Sequence, residues 1–349
     1  MKTVLIIAGG TGGHIFPALT IADHLKQQGI AVYWMGAEVG MEKNLVGNQY
    51  PLYLLPVKGM RGKSVLEQLK TPFRIIKSVI LAYQHIKKIK PDVILGMGGY
   101  ASGPGGIAAK LLGIPLVIHE QNAFPGLTNK VLSRVATTVL QAFPNTFSKK
   151  AMTVGNPVRT AIQKITRPDD YYQTRGKPWK ILILGGSQGA HFINQLMMDF
   201  LKENHTDDFL VWHQTGRKEF DVVNTAYAAS TNNVYRVSPF IDSMDEAYAW
   251  ADMIIARSGA LTVAEVTMVG LPAIFIPFPL AVDDHQYHNA FFIEKNQGAK
   301  IFRESELTAE KLRICLQESF FSAEKLQKMS SHAKTCAARE AVADILQYI

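Results

Sequence analysis

Short uninterrupted apolar runs alternate with longer stretches of helical periodicity over the first 155 residues. The first run, Val4 to Ala8, contains no polar side chain, as expected of a strand buried on both faces of a sheet. A glycine-rich turn and a helix-patterned stretch from Pro17 to Gln28 follow it. Four similar runs follow: Val32 to Met35, Val93 to Gly96, Leu116 to Ile118 and Val139 to Ala142. This alternation predicts a doubly wound, parallel α/β sheet.

The same pattern starts again in the second half of the chain. It breaks near Gly155 and the polar stretch up to Lys180, after which the run Ile181 to Leu184 leads into a second glycine-rich turn. Further strand patterns are Leu210 to His213, Val234 to Val237, Met253 to Ala256 and Ala273 to Pro277. We therefore predict two domains, residues 1–159 and 160–336, with a final helix at about 337–349 that returns to pack on the first domain.

The first glycine-rich turn, Gly9 to His14, has the composition of a ligand-binding loop. Glycine lets the backbone approach a ligand closely, and the start of the following helix presents N–H groups. The dinucleotide fingerprint does not fit this turn, because it needs glycine at Ile15. A P-loop does not fit elsewhere in the chain either: Gly62-Lys63-Ser64 matches the end of that motif, but Val57 stands where its first glycine should be. A tight turn without a ligand is the alternative, but four glycines in six positions favour binding.

Composition and charge restrict the class of protein. With 349 residues, 47% of them hydrophobic and 19% charged, the chain is globular and too long for one typical core. The 37 basic residues exceed the 29 acidic ones, which gives a charge of +8 and suits an anionic partner such as nucleic acid, anionic lipid or a phosphorylated metabolite. Cys315 and Cys336 have no disulfide or zinc spacing. We expect neither a signal peptide nor a transmembrane helix.

Four further motifs follow the strand patterns: Gly96 to Pro104, His119 to Asn122, Gly155 to Arg159 and Arg257 to Glu265. With the two glycine loops, these ordered motifs resemble the MurG family of bacterial glycosyltransferases over nearly the whole chain. The resemblance implies a GT-B fold, in which two Rossmann-like domains face each other across a cleft. It also implies a hexosyltransferase that moves N-acetylglucosamine, with inversion, from UDP-N-acetylglucosamine to the 4-hydroxyl of undecaprenyl-diphospho-N-acetylmuramoyl-pentapeptide in peptidoglycan synthesis.

The resemblance assigns the UDP-sugar to the second domain. Ser187 would contact the diphosphate, Glu265 the ribose and the backbone of Ile241 the uracil. The remaining donor residues that it implies are Arg159, Ala260, Leu261, Thr262, Val263, Ala264, Gln286 and Asn289. From the residues alone, Ser187 is equally an N-cap, Glu265 a surface acid, Ile241 a core residue and Arg159 a linker ion pair. No Asp-x-Asp pair occurs, so we expect no metal and no cofactor.

The first domain is expected to hold the acceptor, with its glycine turn facing the acceptor diphosphate. The residues assigned to this wall are Thr11, Gly12, Gly13, His14 and Asn122. Because the ordinary pKa of histidine is about 6.5, His14 is the leading candidate for the general base that deprotonates a sugar hydroxyl. Glu120 is the alternative base. A lone histidine is usually structural, but His14 lies inside a glycine loop.

The segment from Lys70 to Lys90 contains six basic residues and no acidic one. Its apolar residues recur at helical spacing: Phe73, Ile76, Val79, Ile80 and Tyr83. The usual explanation of such a pattern is a helix whose apolar face packs on the core. Because an acceptor with a polyprenyl tail lies in a membrane, we instead expect peripheral attachment to anionic phospholipids on the cytoplasmic face of the bacterial inner membrane. We expect no nucleic acid partner.

Two other functions share parts of this pattern. A UDP-N-acetylglucosamine epimerase would keep the donor residues but need neither a lipid acceptor nor the basic amphipathic segment. A non-catalytic subunit that binds nucleotide-sugar would keep Ser187 and Glu265 but tolerate loss of His14.

Overall fold

The computed structural model describes residues 2–57, 71–147, 150–186, 188–203, 208–230 and 234–349. The chain forms two compact units. Unit 1 comprises Met1–Arg159 and Ala338–Ile349, and unit 2 comprises Thr160–Ala337.

Unit 1 is built on a seven-stranded parallel sheet with the order β3-β2-β1-β4-β5-β6-β7. Its strands are β1 (Thr3–Ile7), β2 (Ala31–Ala37), β3 (Leu52–Leu55), β4 (Val93–Gly96), β5 (Leu116–Glu120), β6 (Thr138–Gln141) and β7 (Met152–Thr153). The sequence pattern did not predict β3 or β7, which are the two edge strands of this sheet and have four and two residues. Winding reverses between β1 and β4, and ligands of such sheets bind at that point.

The described helices of unit 1 are α1 (Gly12–Gln27), α2 (Glu42–Leu45), α3 (Thr71–Ile89), α4 (Ser102–Leu111), α5 (Leu127–Leu132) and α14 (Ala341–Leu346). They enclose two cores, one on each face of the sheet. Alternate residues of β1 serve the two cores, because Val4 and Ile6 belong to one cluster and Leu5 and Ile7 to the other. The final helix α14 packs in the cluster that contains Val4, through Ile345.

A single glycine lets the last segment of the chain lie against the motif at residues 155–159. Gly155 has a φ of +80°, and a Cβ on it would lie only 2.0 Å from the Cβ of Ala338. Any larger residue at this position would displace one of the two segments. The end of unit 1's first segment and the start of its second are thus held side by side.

Unit 2 is built on a six-stranded parallel sheet with the order β10-β9-β8-β11-β12-β13. Its strands are β8 (Trp179–Leu184), β9 (Phe209–Gln214), β10 (Val234–Ser238), β11 (Met253–Ala256), β12 (Ala273–Phe275) and β13 (Ala299–Ile301). Its described α-helices are α6 (Thr160–Gln163), α7 (His191–Glu203), α8 (Phe220–Ser230), α9 (Met244–Trp250), α10 (Ala260–Val269), α11 (His285–Glu294), α12 (Ala309–Ser319) and α13 (Ala323–Thr335).

The two sheets confirm the predicted pair of doubly wound α/β domains. In each, the first strand lies beside the fourth and ends in a glycine-rich loop, which leads into α1 in unit 1 and towards α7 in unit 2. The edge strand β13 was not predicted, because it has three residues and its central Lys300 is exposed. Both glycine loops therefore lie where parallel sheets of this order bind ligands.

Candidate active site

Two loops meet at the carboxyl end of the sheet in unit 1, one after β1 and one after β4. A Cβ on Gly99 would lie 2.2 Å from the carbonyl oxygen of Gly9, so the loops approach as closely as backbone allows. Gly10 and Gly99 both have positive φ, +92° and +83°. The glycines of these two motifs are therefore required for the loops to pack together.

His14 lies in the first turn of α1, with its imidazole against the loop that follows β4. A Cβ on Gly98, whose φ is +93°, would lie 2.9 Å from both Cε1 and Nδ1 of His14. The Nδ1 atom lies 2.8 Å from Oε1 of Gln121. Among the residues that the structure describes, Nε2 of His14 makes no hydrogen bond, which leaves this nitrogen for a substrate.

The side-chain amide of Gln121 links His14 to a second histidine by hydrogen bonds. Its Nε2 lies 2.9 Å from Nδ1 of His119 and 3.1 Å from the main-chain oxygen of His119. On the other side of that ring, Nε2 of His119 lies 2.9 Å from the carbonyl oxygen of Gly155. His119 is fully buried, and desolvation lowers its pKa to about 4 although the Gly155 carbonyl and the charge of Glu120 act in the opposite direction. His119 is therefore neutral near pH 7.

Glu120, the alternative base, is occupied by its own loop. Its Oε1 accepts hydrogen bonds from the main chain and side chain of Asn122, at 3.0 and 3.2 Å. Its Oε2 accepts from the main-chain N–H of Gly126 at 3.1 Å and from Nδ2 of Asn129 at 2.9 Å. Only 1% of Glu120 is exposed. Four donors hold the carboxylate in place, so this geometry argues against Glu120 as the base and indicates that it fixes residues 120–129.

Glu42 supports the first glycine loop, and the sequence pattern provided no sign of it. It is fully buried in α2, and its Oε1 accepts from the main-chain N–H groups of Gly10 and Ala37, each at 2.9 Å. Cβ atoms on Gly9 or Gly40 would clash with this carboxylate. The N–H of Gly10 is thus already bonded to a side chain of the protein, so only the remaining N–H groups of this turn are left for the predicted contact with a diphosphate.

The other residues predicted for the acceptor wall lie close to His14. Thr11 is the exposed N-cap of α1, and Gly12 and Gly13 form its first turn, which contains no acidic residue. Asn122 is bonded to Glu120, next to Gln121. The guanidinium carbon of Arg159 lies 5.6 Å from the ring centre of Phe16 in α1, so this predicted donor residue packs within unit 1.

In unit 2, a neutral side chain supports the glycine loop. Nε2 of Gln214, at the end of β9, donates to the carbonyl oxygens of Gly186 and Pro239, at 3.0 and 3.3 Å. A Cβ on Gly189, whose φ is +78°, would lie 2.2 Å from the carbonyl oxygen of Thr215. The loop thus packs on the end of β9, and Gln214 also links it to the segment that follows β10. The predicted diphosphate ligand Ser187 lies outside the described residues.

Helix α10 begins directly after the loop that follows β11. Its first turns contain five predicted donor residues: Ala260, Leu261, Thr262, Val263 and Ala264. Ala260 and Val263 are buried, whereas Leu261, Thr262 and Ala264 are half-buried. Glu265 is only 3% exposed, and its Oε2 accepts a hydrogen bond from the hydroxyl of Tyr248 at 2.9 Å. Glu265 is therefore not the surface acid that the pattern alone suggested.

Three more predicted donor residues lie around α10. Ile241 follows β10 and is 7% exposed. Gln286, at the start of α11, is half-buried, and its Oε1 accepts from the main-chain N–H of Phe278 at 3.0 Å. Asn289 is fully buried and donates through Nδ2 to the carbonyl oxygen of Ser258 at 3.1 Å. In this structure the amide of Asn289 therefore supports the loop that precedes α10, and its contact with the sugar stays a prediction.

Arg257, in the same motif, holds a neighbouring loop. Its Nη1 donates to the carbonyl oxygens of Ile276 and Pro277, at 3.0 and 3.2 Å, and its Nη2 pairs with Glu304. These bonds fix the segment that leads from β12 to Gln286. The functional segments at residues 257–265 and 286–289 are thus brought together, as are residues 9–14 and 119–122 in unit 1.

Helix α3 presents apolar side chains to solvent. Phe73, Ile76 and Ile80 are 76%, 58% and 54% exposed, so the core-facing explanation is wrong for these three residues. Val79 and Tyr83 are half-buried. α4 packs beside α3 and α5 beside α4, and both add exposed apolar residues: Ile107, Leu111, Leu127 and Val131. Within the described ranges, no helix is both long and apolar enough to cross a membrane.

Comparison with known proteins assigns the class. The family model for the glycosyltransferase family 28 N-terminal domain matches residues 4–141, and that for its C-terminal domain matches residues 180–347. Together with the two parallel sheets, this makes the chain a glycosyltransferase of family 28 with the GT-B fold.

Full-length relatives define the family more narrowly. A Coxiella burnetii protein named UDP-N-acetylglucosamine–N-acetylmuramyl-(pentapeptide) pyrophosphoryl-undecaprenol N-acetylglucosamine transferase is 46% identical, over 99% of this chain and 97% of its own. An Acinetobacter baumannii protein of the same name is 44% identical over the same shares. The crystal structure of Acinetobacter baumannii MurG superimposes with a TM-score of 0.86 at 41% identity, covering all of both chains. The chain belongs to the MurG family.

Proposed function

We propose that this protein transfers N-acetylglucosamine from UDP-N-acetylglucosamine to the 4-hydroxyl of undecaprenyl-diphospho-N-acetylmuramoyl-pentapeptide. The observation that carries the proposal is the imidazole of His14, which has Nδ1 engaged by Gln121 and Nε2 left for a hydroxyl, in a chain similar over its full length to transferases of that name. The product is the disaccharide lipid precursor of peptidoglycan.

The reaction is a single displacement. Nε2 of His14 takes the proton of the acceptor 4-hydroxyl, and the resulting oxygen forms a bond to the anomeric carbon of N-acetylglucosamine. The bond from that carbon to the diphosphate oxygen breaks, and UDP leaves with the electron pair. Attack from the opposite side inverts the anomeric centre from α to β.

Unit 2 supplies the donor site in this proposal. The first turn of α10 and the loop after β8 present backbone N–H groups and the positive end of a helix dipole to the leaving diphosphate. Glu265 binds the ribose hydroxyls, with its carboxylate oriented by Tyr248. The backbone of Ile241 contacts uracil, and Gln286 contacts the sugar. Among the described residues, no group of three potential ligands is arranged to hold a metal.

The apolar surface of α3, α4 and α5 is proposed to rest on the membrane that contains the acceptor. Large exposed side chains on α3 are accompanied by the exposed basic residues Arg74, Lys77, Lys87 and Lys88. This combination suits the cytoplasmic leaflet, where each basic residue near anionic lipid contributes about 1 kcal/mol. Sedimentation with phosphatidylglycerol vesicles tests it. Phe73→Ser/Ile76→Ser should lower the partition coefficient at least about tenfold, whereas Val222→Ser, at a 63% exposed position in unit 2, should not.

A transfer assay tests the catalytic proposal. The protein is incubated with radiolabelled UDP-N-acetylglucosamine and a short-chain analogue of the lipid acceptor in the presence of EDTA, and label is counted in the lipid fraction. We expect label in the lipid fraction for the wild type and very little for His14→Ala. Protein that binds UDP but leaves the lipid unlabelled would contradict the transferase function and favour an epimerase or a non-catalytic subunit.

A further inference from the structure

The base in unit 1 is the end of a chain of hydrogen bonds that continues into the core. The chain runs from His14 through the side chain of Gln121 to His119 and ends on the carbonyl oxygen of Gly155. Gln121 and His119 are 2% and 0% exposed, so no part of the chain beyond His14 is open to water. We name it the His14–Gln121–His119 chain.

The direction of every hydrogen bond in this chain follows from two main-chain carbonyl groups, those of Gly155 and His119. The Gly155 carbonyl only accepts, so Nε2 of His119 must carry a proton. Because the buried ring of His119 is neutral, its Nδ1 then holds a lone pair and accepts from Gln121. The first carbonyl therefore determines the tautomer of His119.

The second carbonyl determines which way the amide of Gln121 points. The same end of that amide lies 3.1 Å from the main-chain oxygen of His119, which can only accept. If the amide were flipped, two oxygens would face each other there and a third acceptor, Nδ1 of His119, would lose its donor. The NH₂ group therefore faces His119, and Oε1 faces His14.

An acceptor in contact with Nδ1 requires a proton on that nitrogen of His14. A neutral His14 then has its lone pair on Nε2, the nitrogen that the chain leaves for the substrate. We infer that Gln121 and His119 are positioning residues that hold His14 in its Nδ1–H tautomer and so make Nε2 the basic atom. This inference rests on the proposed function, because the tautomer matters for catalysis only if His14 is the base.

The backbone around the chain holds it rigid. Nδ2 of Asn156 donates to the main-chain oxygen of Gln121 at 2.9 Å, and Nδ2 of Asn129 donates to that of His119 at 3.1 Å. Gly98 packs against the edge of the His14 ring that carries Nδ1 and Cε1, and its lack of a Cβ leaves space for the ring. The motifs at 96–104, 119–122 and 155–159 thus each contribute residues that surround the His14–Gln121–His119 chain.

The tautomer can be measured directly on the wild-type protein. Full-length protein labelled with ¹⁵N-histidine, without substrates at pH 8, is recorded in two-bond ¹H–¹⁵N correlation spectra, which separate the Nδ1–H and Nε2–H forms. The His14 signal is assigned by its loss in His14→Ala. We expect the Nδ1–H form. An Nε2–H form, or a mixture of the two, would overturn the inference.

The variant Gln121→Met keeps the length of the side chain and removes both its donor and its acceptor. His14 should then show a mixture of tautomers, and kcat should fall about ten- to a hundredfold, within the 10²- to 10⁴-fold that a general base contributes. KM for UDP-N-acetylglucosamine should not change, because the donor residues of unit 2 are untouched. A His14 signal or a kcat equal to that of the wild type would overturn the role of Gln121.

His119→Phe should produce a weaker form of the same change, because Gln121 still has the main-chain oxygen of residue 119 as an acceptor. We expect kcat to fall about three- to tenfold. The matched control is His213→Phe, which also removes a fully buried histidine, but in unit 2, and should leave the His14 signal unchanged. A shift of the His14 signal in this control, or none in His119→Phe, would overturn the role of His119.

The spectra test the hydrogen-bond chain and the transfer assay tests the proposed function, so each can be contradicted without the other. An Nδ1–H tautomer in a protein that transfers no sugar would contradict the proposed function but not the hydrogen-bond chain. An Nε2–H tautomer in an active transferase would contradict the chain and leave the function in place.

Discussion

The two glycine-rich loops begin in the same way but are supported by different side chains. Each follows the central strand of its sheet, β1 or β8, at the point where winding reverses. In unit 1 a buried carboxylate, Glu42, accepts from the N–H of Gly10. In unit 2 a buried amide, that of Gln214, donates to the carbonyl of Gly186.

This difference separates the two loops by the backbone groups that each leaves to a ligand. The carboxyl group of Glu42 already takes the N–H of Gly10, which is therefore not available to a diphosphate. The amide of Gln214 adds no charge. Because it bonds to a carbonyl oxygen, it does not occupy any N–H group of the loop. In the function that we propose, this duplicated strand–glycine–helix start supports a proton-accepting histidine in one unit and a diphosphate site in the other.

The comparison is most directly tested at His14. His14→Ala should lower kcat about 100- to 10,000-fold, because a general base contributes that much. Calorimetric titration should find the affinity for UDP unchanged, because UDP is assigned to unit 2. His24→Ala, at the other end of α1, is the control and should retain wild-type kcat. Normal turnover in His14→Ala would move the base elsewhere.

Among the residues that the structure describes, each unit has one fully buried histidine, so both units should lose stability in acid. Desolvation lowers the pKa of His119 to about 4 and that of His213 to about 3. Below pH 6.5 these histidines bind a proton in the unfolded chain but stay neutral in the folded protein. The free energy of unfolding is therefore highest above pH 6.5 and falls as the pH is lowered towards 4, by up to about 3 kcal/mol for His119. Urea denaturation at pH 7.5, 6 and 5 measures this. His119→Phe should lose its share of the pH dependence, and an unaltered dependence would contradict the assignment.

Glu265 tests the donor assignment in unit 2. Glu265→Ala should raise KM for UDP-N-acetylglucosamine about 10- to 100-fold, because the ribose loses a charged acceptor. The control is Tyr248→Phe, which removes the bond to Glu265 but keeps the carboxylate, and should lower the melting temperature with a much smaller change in KM. Equal KM values in wild type and Glu265→Ala would remove Glu265 from the site.

Exchanging the support of the second loop sharpens the comparison further. Gln214→Glu places a carboxylate where the amide now faces Gly186, and should raise the Kd for UDP about tenfold or more through repulsion. Gln214→Met is the neutral control and should bind UDP more tightly than Gln214→Glu. Glu42→Gln, in unit 1, should not change UDP affinity. If Gln214→Glu binds UDP as the wild type does, the second loop is not the diphosphate site.

The strands were predicted best where they are central in the sheet and buried along their whole length. The run Val93 to Gly96 coincides with β4, and Met253 to Ala256 coincides with β11. The edge strands β7 and β13 were missed because they have only two or three residues and include exposed side chains. The predicted final helix is shorter than expected, since α14 begins only at Ala341.

The candidate site was predicted only in part. His14 stood out because it lies inside a glycine loop, whereas Gln121 was only part of a motif and was not singled out. No pattern indicated that the two touch. Glu42 had no signal, since α2 is one turn in an irregular stretch. The sequence also did not show that Asn289 and Glu120 are buried and bonded to their own loops.

The sequence by itself determined the positions of the central strands, the two domains of one fold class and the repeated glycine loops. Those features are encoded in neighbouring residues, whose periodicity reflects burial. Only the tertiary structure decided what surrounds each loop. His14 and Gln121 are 107 positions apart, and Gly10 and Glu42 are 32 apart. Contacts of that range depend on strand order, because parallel strands bring their carboxyl ends to one edge of the sheet whatever their distance along the chain.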